Sequence, residues 1–399
     1  MQAAPQTHLK HLRVAIVHDW LVVNGGAEKV LKGLVDAFPQ AEIFTLVHTL
    51  TDGELPWLNQ HPVHTSGLQR LPCIKRIYRH CLPLMPYAIE QFDLRGFDLV
   101  ISSNHAVAKG VMTHPGQVHI CYCHTPMRYA WDMKEAYLDD AGFRLPGMDA
   151  YVRKTLKRLR QWDYFTATQV DAFLANSHNV AQRIAKYYRR ESDVLYPPVD
   201  TDSFALYTGE REPYYLAASR LVPYKRMDLI VQAFVQDPHK RPLKVVGDGP
   251  DFKRLAQLAE GHEHIELLGY LQGENLHRLM QRAKAFVFAA DEDFGIVPLE
   301  AQACGTPVIA YGHGGALETV KGLEHKENAT GIHFSEQTVA SLHQAVEDFE
   351  AYTFSPSSCR LHAEKFSEIL FSQRLCALVN KKLGERLAPP DQVPNTHMN

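Results

Sequence analysis

Short β-rich runs alternate with stretches of helical period along all 399 residues, and this alternation limits the fold more than any other feature. RVAIVHDW (13–20), AEIFTLVH (41–48), FDLVISSN (97–104), VHICYCHT (118–125) and DAFLANS (171–177) read as strands. The rhythm breaks at YPPVDTDSF (196–204), then restarts with YYLAASR (214–220), LKVVGDG (243–249), IELLGY (265–270), AFVFAA (285–290) and PVIAYG (307–312). Strands separated by helices build parallel sheets, so the chain reads as two α/β domains. Length agrees, because a single core stops growing near 250–300 residues. Helical stretches over 338–352 and 366–387 close the chain. Open parallel sheets bind ligands at the carboxyl ends of their strands, so two facing sheets would share one cleft there.

Composition excludes several classes. With 45% hydrophobic and 22% charged residues the chain is neither disordered nor fibrous. No apolar run approaches the roughly 20 residues of a membrane-spanning helix, and MQAAPQTHLKHLR lacks the apolar middle of a signal peptide, which points to the cytosol. Seven cysteines are an odd number set mostly in apolar text, which fits reduced core thiols. Cys121 and Cys123 have no second pair to complete a zinc site, and the histidine pairs His8/His11 and His262/His264 lie in loop-like text, so no metal is expected.

The net charge of −3 is uneven. Residues 1–200 hold 22 Lys+Arg against 19 Asp+Glu, and the remainder 20 against 26. Lys75, Arg76 and Arg79 lie in an acid-free stretch among large apolar residues, and Lys154, Lys157 and Arg158 lie in another. Basic residues interleaved with apolar ones suit a peripheral contact with an anionic membrane, and equally a solvated helix face.

Three loops carry the candidate chemistry. Asn24-Gly25-Gly26 joins a strand to a helix, where free N–H groups can receive an anion. Arg220 and Lys225 flank a short proline-containing loop and could meet a diphosphate. In FVFAADEDFGIVPLEAQACGTPVIAYGHGG (286–315) a strand ends in an acidic loop, and Glu300 follows Glu292 by eight positions. Carboxylates there can accept from vicinal sugar hydroxyls, or cap the helix.

EDFGIVPLEAQACGTPVIA resembles the Glu-x7-Glu motif of the retaining family 4 glycosyltransferases. Its companions occur in the family's order: the NGG loop, HTP (124–126), Arg220 with Lys225, VVGDGP (245–250) and GY (269–270). The resemblance implies an α/β GT-B fold with two Rossmann-like domains facing a central cleft. Residues 1–198 would form the acceptor domain and 199–370 the nucleotide-sugar donor domain. Helix 371–387 would pack back toward the first domain, ahead of a flexible tail, 388–399. Glu300 would bind the nucleotide ribose and Glu292 the donor hexose. The backbone of Asp293, Phe294, Gly295 and Ile296 would hold the sugar or diphosphate. Arg220 and Lys225 would neutralise that diphosphate, with Gly25 and Gly26 from the opposite domain, while Gly247, Tyr270 and Leu271 would complete the donor site. His124 would lie near the donor sugar or orient the acceptor. Asp291 and Asp293 have Asp-x-Asp spacing but read as loop residues, since two fixed cations make a metal redundant.

HICYCHTPMRYAWD (119–132) and ISSNHAVAKG (101–110) are similar to the WbaZ-like bacterial mannosyltransferases of O-antigen and capsule synthesis. That similarity implies GDP-mannose as donor, a UDP-sugar being the alternative, and a lipid-linked glycan as acceptor. Asn104, Arg128, Tyr129 and Trp131 would contact this acceptor, at the inner face of the cytoplasmic membrane and alongside other glycan-assembly enzymes. No nucleic acid partner is implied. A nucleotide-sugar epimerase on the same fold and a non-catalytic scaffold are the competing readings.

Overall fold

The computed structural model describes residues 9–132 and 148–387, which divide into two units. One runs to Pro197 and resumes at Phe371; the other spans Pro198–Leu370.

The first unit is built on a seven-stranded parallel sheet. Its strands are β1 (Val14–His18), β2 (Glu42–Thr45), β3 (Val63–Thr65), β4 (Leu99–Asn104), β5 (Val118–Cys123), β6 (Ala172–Ala175) and β7 (Asp193–Val194). Their order is β3-β2-β1-β4-β5-β6-β7. The central strands are buried on both faces, which is why they read as continuous apolar runs. Between them and the helices lies a core that includes Ile16, Leu31, Leu34, Phe38 and Ile101. Each such side chain contributes about 1.5–3 kcal/mol by leaving water. Helix Gly26–Ala37 turns Val30, Leu31, Leu34 and Val35 inward, and Glu28 holds its start by accepting from the Gly25 N–H at 2.8 Å. From the final helix, Glu368–Leu387, Phe371, Leu375 and Val379 join the same core.

Six parallel strands form the second sheet: β8 (Tyr215–Ala218), β9 (Leu243–Val246), β10 (Ile265–Gly269), β11 (Ala285–Phe288), β12 (Val308–Tyr311) and β13 (Gly331–Phe334), in the order β10-β9-β8-β11-β12-β13. Both sheets therefore reverse direction beside their first strand, between β1 and β4 and between β8 and β11. Ligands of doubly wound sheets bind at that reversal. The strands absent from the sequence reading are β3, β7 and β13. β3 and β7 are three and two residues long, too short to show a period.

Candidate functional site

Around the reversal of the second sheet, two loops meet. The first follows β8 and tightens into the turn Pro223–Lys225, after which Arg226 takes a left-handed φ of 53° and opens helix Met227–Val235. The second follows β11 and ends at Gly295, whose φ of 89° starts helix Ile296–Ala303. Lys225 of the first is ion-paired with Glu292 of the second, and both side chains are largely buried. Arg220 is exposed, with no ion pair among the described residues. Arg226 donates to Gln337 Oε1 at 2.9 Å, and Gln337 donates to the Ala289 carbonyl at 2.7 Å, which ties the two loops together.

A third loop, 312–315, supports the acidic one. Gly315 N–H donates to the Glu292 carbonyl at 2.8 Å, and a Cβ on Gly315 would lie 2.2 Å from Phe294 Cα. Only glycine allows that approach. His313 Nδ1 lies 2.9 Å from Asp291 Oδ1. Phe294 is buried with its ring 5.7 Å from that of Phe366, so the backbone of 293–296 is held from behind. Glu300 lies one turn into helix Ile296–Ala303 and is 4% exposed. Beneath it Cys304 is an inert thiol, its pKa pushed up to about 12 by burial.

Gly247 owes its identity to packing. A Cβ there would lie 1.9 Å from the Ser219 carbonyl, at a φ of 146°. Tyr270 is 67% exposed and donates to Gln272 Oε1 at 3.0 Å, while Leu271 packs against the core beneath β8 and β11.

At the reversal of the first sheet the ends of β1, β4 and β5 bring the expected His124 together with His18, Ser103, Asp19 and His105, which the sequence reading missed. His18 and Ser103 are register partners on β1 and β4. Ser103 Oγ lies 3.0 Å from His18 Nδ1 and 2.8 Å from His124 Nε2. On its other side, His18 Nε2 is 3.5 Å from Glu28 Oε1. Asp19 accepts from four consecutive backbone N–H groups, His105 to Ala108, at 2.6–3.0 Å. It thereby fixes the loop after β4 and brings His105 Nδ1 within 3.0 Å. Burial, reinforced by His105 and His18, holds His124 well below the usual histidine range. Burial is also the main reason that His105 is lowered. Burial pushes the Glu28 carboxyl up, but the nearby His18 ring and the carboxyl's own backbone N–H outweigh it, and the net direction is down. The signal that could have found this group is positional: His18, Ser103 and His124 stand at consecutive strand ends of one reversal.

Asn104 is fully buried, and its Oδ1 accepts from the Lys109 N–H at 3.0 Å, which shapes the β4 loop. Trp131 is half-buried, donating to Asp163 Oδ2 at 2.8 Å and stacked on Tyr187 at 4.8 Å. Asp163 also pairs with the fully buried Lys109, and this binds helix Met148–Ala167 to the loop after β4. Arg128 and Tyr129 lie partly exposed in the short helical turn Arg128–Trp131, next to His124 in sequence. Gly25 caps helix Gly26–Ala37, and Gly26 is exposed at its first turn.

Lys75, Arg76, Arg79, Lys154, Lys157 and Arg158 are all exposed. Their segments share one apolar cluster, through Ile74, Tyr78, Val152 and Leu156, and Trp162 donates to Glu90 Oε1 at 2.7 Å. No helix among the described residues is long and apolar enough to cross a membrane, and these residues contain no group of three or more His, Cys, Asp and Glu suited to a metal ion.

Residues 24–203 match the profile of Glycosyltransferase Family 4, and residues 199–365 that of Glycosyl transferases group 1. The chain belongs to the family 4 glycosyltransferases. Its two Rossmann-like units are the GT-B fold, and the Anabaena protein HepE, solved in complex with UDP-glucose, aligns with a TM-score of 0.65 over 93% of this chain and all of its own, at 18% identity. A GDP-mannose-dependent alpha-(1-6)-phosphatidylinositol monomannoside mannosyltransferase of Mycolicibacterium smegmatis is 35% identical over 153 residues, 32% of this chain and 40% of that protein. The monoacylated-substrate counterpart from Corynebacterium glutamicum is 38% identical over 120 residues, 27% of this chain and 32% of that protein. The chain thus spans less than half the length of these curated relatives.

Proposed function

We propose that the chain transfers a hexose with retention of configuration, mannose from GDP-mannose being the first choice, onto a lipid-linked oligosaccharide of a bacterial surface glycan. The observation that carries this reading is the meeting of Lys225, Glu292 and the start of helix Ile296–Ala303 at the reversal of the second sheet. A departing nucleoside diphosphate gains negative charge as the sugar becomes oxocarbenium-like, and fixed cations with helix-end N–H groups stabilise that charge most. Lys225 and the exposed Arg220 supply the cations. Incoming phosphate competes with Glu292 for Lys225 and frees that carboxylate to accept from hexose hydroxyls. Glu300 takes the ribose hydroxyls, Tyr270 and Leu271 flank the base, and the 293–296 backbone, propped by Gly315, receives the sugar or phosphate.

The first unit is assigned to the acceptor. His124 orients its hydroxyl, and Arg128 and Tyr129 lie in the turn that follows. The Gly25–Gly26 turn offers the first N–H groups of its helix to an anion. The basic patch brings this unit to an anionic membrane surface, where lipid-linked acceptors reside. The mannosyl choice is supported by the GDP-mannose-dependent relatives. A UDP-sugar is the second reading, favoured by the UDP-glucose in the HepE complex.

A panel of GDP-mannose and UDP-hexoses, offered with a lipid-diphosphate-linked oligosaccharide, tests the proposal, with linkage and anomeric configuration read by NMR. Transfer from GDP-mannose alone with retention is the expected result. Transfer from UDP-sugars alone overturns the mannose choice, and release of an epimerised nucleotide sugar without acceptor overturns transfer.

A further inference from the structure

The group formed by Glu28, His18, Ser103 and His124 runs in one line across helix Gly26–Ala37, β1, β4 and the residue after β5. Every link but the last is almost fully buried: Glu28 is 4% exposed, and His18 and Ser103 are fully enclosed. His124 is partly exposed, and among the described residues its ring makes no hydrogen bond beyond that of Nε2 to Ser103. One end of the line is thus fixed inside the unit and the other reaches solvent.

The fixed end has a direction. Glu28 Oε2 accepts from the Gly25 N–H, and Oε1 faces His18 Nε2 at 3.5 Å. An ionised carboxylate can only accept, so it favours the His18 tautomer with the proton on Nε2. His18 Nδ1 is then a lone pair, and the Ser103 hydroxyl donates to it across 3.0 Å. With its only proton committed, Ser103 Oγ accepts from His124 Nε2–H across 2.8 Å.

We propose that Glu28 is a positioning residue that sets the tautomer of His124 through His18 and Ser103, so that Nδ1 faces solvent as a lone pair able to accept from a substrate hydroxyl. The ring nitrogens of a histidine differ in just this way, with the bond made by one deciding what the other offers. Burial keeps His124 neutral, which leaves it a choice of tautomer. The role of the hydroxyl rests on the glycosyl-transfer reading above; the tautomer itself does not.

Glu28→Gln is the decisive variant, because the Gly25 N–H still demands an acceptor and takes the amide oxygen. The amide NH₂ is then turned toward His18 Nε2, which must accept. Both hydrogen bonds made by Ser103 then reverse, and His124 ends with its proton on Nδ1. Side-chain ¹H–¹⁵N correlation spectra of the full chain read this directly, with His124 assigned by its loss in His124→Gln. We expect Nε2 protonated in the parent, Nδ1 protonated in Glu28→Gln, and no difference between Ser103→Ala and Glu28→Gln/Ser103→Ala, since the missing hydroxyl disconnects the ends.

In the transfer assay Glu28→Gln should lower kcat on the order of 100-fold with donor KM within about twofold, the pattern of a misdirected hydrogen bond felt at the transition state. The proposal is overturned if parent His124 carries its proton on Nδ1, if His18 is protonated on both nitrogens, if Glu28→Gln leaves His124 unchanged, or if the tautomer reverses while kcat does not. A parent chain that transfers no sugar but shows the reversal overturns the transfer reading and keeps the relay.

Discussion

Lys225 and Glu292 are 67 positions apart in the chain and meet as an ion pair, one from the loop after β8 and one from the loop after β11. The pairing places a cation and a carboxylate at one point of the sheet reversal and makes each the counter-charge of the other. Lys225→Ala and Glu292→Ala should each lower kcat/KM by about 10²–10³-fold, the loss that follows removal of one preorganised charge. Because each single change also leaves a partner uncompensated, the double variant should lose less than the product of the two. A double-mutant cycle on sugar transfer measures this coupling.

Gly247→Ala should act on folding first. Its Cβ would overlap the Ser219 carbonyl at 1.9 Å, at a φ that a side chain rarely adopts. We expect the second unit to lose about 2 kcal/mol or more, seen as a lower urea midpoint. An unchanged midpoint with weakened donor binding would make Gly247 a ligand contact instead.

Lys109→Met should destabilise the first unit by about 3–5 kcal/mol, since it leaves the Asp163 carboxylate buried without its cation. Trp131 and Tyr188 still donate to that carboxylate, at 2.8 and 2.9 Å, and keep it from being wholly unsatisfied. Thermal melts of Lys109→Met and of Lys109→Met/Asp163→Asn check this, the second expected to recover part of the loss.

Acid should unfold the chain early. Burial, together with nearby Lys109 for one and Lys321 and Lys365 for the other, brings His119 and His362 down from 6.5 to about 4. Between those values the unfolded chain binds more protons than the folded one, so stability rises with pH up to about 6.5 and falls on acidification toward 4. Each histidine contributes about 3 kcal/mol at full titration. Melting temperature measured from pH 7 to pH 4 should fall, and His362→Gln should flatten the curve if it folds.

Membrane contact predicts a charge-dependent partition. Lys75, Arg76 and Arg79 stand exposed beside Leu84 and Tyr87, which are 56% and 69% exposed. At about 1 kcal/mol per basic residue, replacing the three with Ala should weaken flotation with anionic vesicles on the order of 100-fold. Binding that does not change excludes this patch.

The sequence by itself determined the architecture. Strands buried on both faces must be apolar throughout, so β1, β4, β5, β8 and β11 are legible as runs, and the helices between them by their period. The family motif from Glu292 to Glu300 is local, one loop and one helical turn, and needs no tertiary information to be read. The short edge strand β7 was not legible, because two residues, Asp193 and Val194, are too few to carry a period.

Tertiary structure decided what the sequence left open: which residues touch. That Glu292 meets Lys225, that Gly247 is glycine because Ser219 O lies against it, and that Asn104 is enclosed while His124 is reachable all depend on strand order. The line from Glu28 to His124 is the clearest case. Its members lie at positions 28, 18, 103 and 124, with nothing in their local text to connect them, and only a sheet that sets β1 beside β4 and β4 beside β5 lines them up, with Glu28 facing His18 at 3.5 Å and Ser103 hydrogen-bonded to both histidines.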